Sequence, residues 1–334
     1  MRGALRHLFA FTLASLTSSP AGAADLVTLS PQTWDTYAPD GKEADAIYGD
    51  FVLANDQIIV VIGNPKRGRN ANMTVREVGG AIIDLTSRSN PNDQLSAFFP
   101  GAQLRQLRFA GIEVDGPETY DASDLERVFV RGKKVTLRLV ATSAAQQPDA
   151  TVAYTLEDGW PYVQVTTTFR NPGGAHVETE LVDSLRADGP FDAAPVENTS
   201  WFWVDDKPWR QSYGVATPSH AIVNAPGRAR LLRYRDSNGK VTLTLAPGEE
   251  SQLVRQVFPG ANLFELLAVR AKLQAESVNR FALRIIDEAG NAVPEAEVEL
   301  SQNGKAVASG KPDDDGRIQV TAAKGPSRLN ISAR

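Results

Sequence analysis

The sequence predicts an all-β protein, built as a large antiparallel β-sandwich, a short helix or linker, and a small second β-sandwich. Three observations carry this. β-Branched and aromatic residues recur from residue 47 onward in short runs separated by Gly, Pro, Asn and Asp. Two of those runs, Val163 to Phe169 and Val241 to Leu245, alternate apolar and polar with a period of two, which buries one face of a strand and wets the other. A single stretch, NLFELLAVRAKLQAESVN, is Ala- and Leu-rich and free of Gly and Pro, with Leu263, Leu266, Leu267, Val269 and Leu273 at helical spacings.

In chain order, the first segment is a targeting signal. MRGALRHLFAFTLASLTSSPAGAAD places Arg2 and Arg6 before an apolar run, Leu8 to Leu16, and ends on Ala21-Gly22-Ala23, the order of a secretory signal cleaved after Ala23. That run is too short to span a bilayer, and nothing later is long enough, so the expected product is secreted or periplasmic with no membrane span. The chain has no cysteine, which excludes a lipid anchor, thiolate zinc sites and a Cys nucleophile. A mature chain of about 310 residues buries a sufficient core without disulfides. A net charge of -5 gives no basic footprint, which argues against a nucleic-acid partner.

FVLANDQIIVVI reads as two strands about an Asn-Asp turn, and ATVAYTLEDGWPYVQVTTTFRN as a hairpin turning at Glu157 to Pro161. Residues 24–262 are therefore expected to form the large sandwich, 263–278 a helical linker, and 279–334 the small sandwich. In the last, Asp287 to Pro294 and Asp313 to Gly316 are turn clusters.

The order Ile285/Ile286, Asp287, Gly290, Val293, Pro294, Ala296, Val298, Leu300, followed by Asp-Asp-Gly-Arg at 314–317, resembles the carboxypeptidase regulatory-like family. That resemblance implies a small transthyretin-like sandwich. The FVLANDQIIVVI pair, the hairpin closing on Asn171 and LAPGEESQLVRQVFPG resemble the galactose mutarotase-like supersandwich of sugar epimerases, polysaccharide lyases and glycosidases. NANMTVREVGGAIIDL with NDQLSAFFPGA is similar to exported bacterial proteins in which such a front region precedes a metal-dependent hydrolase of the polymerase-and-histidinol-phosphatase type. This similarity implies a protein partner or a downstream hydrolase domain.

Candidate functional residues fall in two clusters. The loop GNPKRGRNANMTVREVGG offers Arg67, Arg69 and Arg76 as clamps for sugar carboxylates or sulfates, and Asn70 and Asn72 for hydroxyls; the alternative is a long solvated connection. ENTSWFWVDDKPWRQSYG gathers three of the five tryptophans, Trp201, Trp203 and Trp209, with Tyr213. Trp201 and Trp203 share a face if the run is extended, which makes either a platform for the C-H faces of a sugar or a pair of core anchors.

These clusters predict a non-catalytic glycan-binding or architectural protein. The alternative is a glycan-active lyase or epimerase-like enzyme using Tyr213 as base, Arg210 as neutralising cation, or His220. The mature chain holds two histidines, His176 and His220, and no paired-His motif, so no metal centre and no cofactor are expected. Asp313, Asp314 and Asp315 read either as a charged turn or as a calcium ligand set lacking the spacing of a full loop.

Overall fold

A computed structural model describes residues 22–41, 44–116, 124–142, 144–187, 191–194, 199–225 and 229–333. Residues 1–21, most of the predicted signal, lie outside them. The fold is all-β. Among the described residues, nine strands form one sheet in the order Ala221–Ala225, Ala229–Arg235, Val182–Ala187, Leu95–Pro100, Ile82–Ser87, Ile58–Ile62, Phe51–Ala54, Ala24–Thr28, Phe129–Gly132. Eight form the facing sheet, in the order Asp192–Ala193, Trp201–Asp206, Gln211–Ala216, Glu250–Gly260, Val163–Arg170, Asp149–Glu157, Lys134–Ala141, Leu107–Val114. Neighbouring strands pair antiparallel throughout, including the predicted hairpin, where Val165 faces Tyr154 and Thr167 faces Val152.

The two sheets enclose a core to which Phe51, Leu53, Val60 and Phe98 contribute from one side and Leu137, Val152, Tyr154 and Val165 from the other. The nine-stranded sheet is also covered on its outer face. Val27, Val52, Val61, Ile83 and Phe99 pack there against Tyr37, Val75 and Val78, contributed by the short helix Trp34–Tyr37 and the loop after Ile62. Burial on both faces explains why FVLANDQIIVVI is nearly continuous in apolar residues, whereas Val163–Arg170 alternates. The strand Ala24–Thr28 precedes residue 47, where the sequence signals begin, because five residues without a turn signal do not stand out beside the predicted signal.

The helix forms where the sequence places it, over Leu263–Leu273. Asn262 caps it, its Oδ1 accepting from the backbone N-H groups of Phe264 and Glu265. It ends sooner than the predicted 278: Gln274 N-H returns to Arg270 O, Ala275 turns left-handed at φ 53°, and Val278 already opens a strand. Beyond it, Val278–Arg284 pairs with Arg317–Ala323, and Glu297–Gln302 lies between Lys305–Gly310 and Ser327–Ser332. One apolar cluster joins Phe258 of the eight-stranded sheet, Phe264 and Leu266 of the helix, and Val298, Ile318 and Val320 of these last strands. Among the described residues, no helix is long and apolar enough to cross a membrane.

Candidate functional site

Trp201 and Trp203 lie on one edge hairpin of the eight-stranded sheet, Trp201–Asp206 paired with Gln211–Ala216. Strand alternation sends Phe202 and Val204 into the inter-sheet core and both indoles to the outer face. Gly214 stands opposite Trp203, and a Cβ there would meet the Phe258 ring at 2.2 Å, so the residue must be small. The helix and the small sandwich pack against this outer face without closing over it. They leave a groove of about 400 Å³ whose lining includes Trp201, Trp203, Arg270, Glu276, Gln302 and Lys305.

Both indoles are half-buried, with part of each surface in the core cluster and part in the groove. Each ring is therefore a core anchor on one side and faces the groove on the other. The Arg270 guanidinium stands 5.4 Å from the Trp201 ring centroid, within cation-π range. It is oriented by Gln274 Oε1 at 2.7 Å and Glu276 Oε1 at 3.1 Å. Gln302 donates to Ser327 Oγ at 2.9 Å. The groove thus offers aromatic surface, a cation paired with a carboxylate, and an amide, drawn from the strand Trp201–Asp206, the helix, the turn after it and the strand Glu297–Gln302.

Trp209 is not part of it. This residue sits 46 % exposed on the turn Lys207–Trp209, its carbonyl accepting from Asn92 Nδ2 at 2.7 Å, and it does not line the groove.

The Gly63–Gly80 loop is a built connection. Arg69 is buried, with Nε 3.0 Å from Asp50 Oδ1 and Nη2 2.6 Å from Asp50 Oδ2, and it also donates to the Asn70 and Asp45 carbonyls. With four of its five N-H donors committed inside the protein and its side chain buried, it is the strut of the loop, a structural role in place of the expected clamp. Asn72 is likewise committed, its Oδ1 accepting from Thr74 N-H, Thr74 Oγ1 and Val75 N-H as a turn former. Arg76 is exposed, its carbonyl receiving Gln103 Nε2 at 3.0 Å, and it lines no cavity with the others. Arg67 does: with Lys66 and Arg105 it borders a pocket of about 370 Å³.

The alternative catalytic set is not brought together. Tyr213 is fully buried, donating to Asp93 Oδ1 at 2.9 Å and accepting from Gln94 N-H at 2.8 Å. Burial, and then the Asp93 charge, push its hydroxyl well above the ordinary phenol range, the reverse of what a base needs. Arg210 pairs with Asp314 at 2.8 Å. His220 lies next to Ser219 Oγ, 2.9 Å from its Nδ1, with burial lowering its pKa. His176 is exposed.

The aspartate turn is spent on the fold. Asp313 Oδ1 accepts from Asp315 and Arg317 N-H, Asp314 binds Arg210, and Asp315 binds Arg317. No cluster of three or more potential metal ligands occurs among the described residues.

Arg105, Arg270, Glu276 and Lys305 escaped the sequence reading. Each lies far along the chain from the tryptophan run or the loop that it joins, and no local pattern marks it.

No protein-family model matches the chain, and no curated protein matches it. Solved structures do. A TPR-domain containing protein from Parabacteroides distasonis matches at 14% identity and TM-score 0.42, over 64% of this chain and 47% of its own. A galactose mutarotase-like protein from Lactobacillus casei matches at 10% and 0.38, over 63% and 99%. A polysaccharide lyase matches at 15% and 0.36, over 75% and 42%. This chain spans less than half the length of the first and third. Galactose mutarotase-like proteins are thus among its structural neighbours.

Proposed function

We propose that this chain is an exported, non-catalytic carbohydrate-binding protein that holds its glycan in the groove beside Trp201 and Trp203. The observation that carries the reading is the pair of indoles set on one strand face and left partly open to a cavity rimmed by Arg270, Glu276, Gln302 and Lys305. Sugar rings stack their C-H faces on such surfaces, and charged and amide groups at the rim select hydroxyls. Export rests on the order of charges and apolar residues at positions 1–23. It is supported by the start of the first strand at Ala24, which leaves the sandwich whole after cleavage following Ala23.

The division into a large sandwich over 24–262, a linker over 263–278 and a carboxypeptidase regulatory-like module over 279–334 belongs to the same proposal. Its support is local. Asp287 closes its turn by accepting from Ala289 and Asn291 N-H, and Ala296 is fully buried at the start of a strand. The module then supplies one wall of the groove.

The test is a panel of neutral and acidic glycans against residues 24–334, reading tryptophan fluorescence and absorbance near 235 nm together, a wavelength chosen for unsaturated sugar products. The expected result is saturable quenching without new absorbance, weakened about tenfold or more by Trp203→Ala. Rising absorbance would mean lyase chemistry and would overturn the non-catalytic reading.

A further inference from the structure

The basic pocket beside the loop adjoins a second cavity, and the two share Pro100, Arg105 and Leu107 as a common wall. The second cavity, about 260 Å³, enters the open end of the sandwich between the sheets. Its inner lining is core, with Ala141, Ala150, Val152, Phe169 and Leu253 each no more than 7 % exposed; Glu178, Glu180 and Asp183 line it as well, Glu180 paired with Arg233 and Asp183 with Arg255. Leu104, 64 % exposed, stands at its mouth. Sandwich cores normally fill to crystal-like density, so a slot among core side chains is space that the fold itself does not use.

Charge is concentrated at the other half. Lys66, Arg67 and Arg105 border the basic pocket, and none of the three is in an ion pair among the described residues. Arg105 is half-buried and donates to Pro148 O at 2.7 Å, and its loss of solvent lowers its pKa. Glu77, the acid on this rim, already accepts from Gly68 N-H at 3.1 Å. The dividing turn is itself costly. Gly101, Ala102 and Gln103 all adopt positive φ, at 69°, 51° and 65°, a conformation unfavourable for the latter two. It is held in place by Gly101 N-H donating to Asp183 Oδ1 at 2.9 Å.

We propose that these two cavities form one site for a single-chain anionic amphiphile, its carboxylate or similar head on Lys66, Arg67 and Arg105 and its apolar body in the inter-sheet slot. Three cations against Glu77 on the rim and Asp149 near Arg105 leave a positive surplus that selects the head, and the apolar inner part of the slot selects the tail. The site is separate from the tryptophan groove.

Isothermal titration with sodium dodecanoate below its micelle concentration tests this, with acetate and dodecyl maltoside as head-only and neutral-head controls. The expected result is one-site binding of dodecanoate, at least about tenfold tighter than either control. Arg105→Gln, at a half-buried position, and Leu104→Asp, at an exposed one, weaken it by about tenfold or more, while Trp203→Ala leaves it unchanged. Absence of dodecanoate binding would overturn the proposal. So would equal binding of the maltoside, indifference to both variants, or binding seen with phosphatidylglycerol vesicles and not with the monomer.

Discussion

Arg69 illustrates how residue-scale chemistry separates a strut from a ligand contact. Removing it leaves Asp50 buried without a counter-charge, so Arg69→Ala is expected to lose about 3–5 kcal/mol in urea unfolding. Arg67→Ala, at an exposed position, should stay within about 0.5 kcal/mol. A second residue-scale expectation concerns the fully buried Asp84 and Asp93, each of which has one oxygen, Oδ2, without a hydrogen-bond partner. Burial raises both, Asp84 to about 8. The folded state therefore holds a proton that the unfolded chain releases near pH 4. The stability this contributes is present below about pH 4 and is lost as pH rises through about 8. Asp84→Asn should accordingly gain stability relative to the parent as pH is raised from 5 to 8, measured by denaturant midpoints at each pH. A constant difference would contradict the protonated form.

At the scale of elements, the helix depends on its cap. Asn262→Ala is expected to cost about 1 kcal/mol, read as a lowered midpoint in thermal unfolding. Gly214→Ala should cost more than that, because its Cβ would collide with the Phe258 ring, and the tryptophan hairpin would shift with it. The elements also show what a linear sequence can reveal. Period-two alternation located Val163–Arg170, and an uninterrupted Ala/Leu run located the helix, because both signals lie within a dozen neighbouring residues. The shared face of Trp201 and Trp203 was legible for the same reason. Arg270 and Lys305 were not, since they reach the groove through packing across long separations in the chain. Nor could spacing reveal that Arg69 turns inward to Asp50 while Arg67, two residues away, turns outward. That choice is made by the loop's tertiary hydrogen bonds.

At the scale of the whole molecule, one apolar cluster runs from Phe258 through the helix to Val298 and Ile318, so the small sandwich should not melt independently. Calorimetry is expected to show a single transition, and a chain ending at Gln274 should expose this cluster and bind an apolar dye that the full chain does not. The same packing forms the groove, which ties the proposed glycan site to the presence of the small sandwich. The most direct measurement is an NMR titration of the five tryptophan indole N-H signals with a glycan that quenches fluorescence. The account predicts that Trp201 and Trp203 shift with one common affinity while Trp34 and Trp160 stay in place. Shifts confined to Trp209, or spread evenly over all five, would contradict a binding groove at this hairpin.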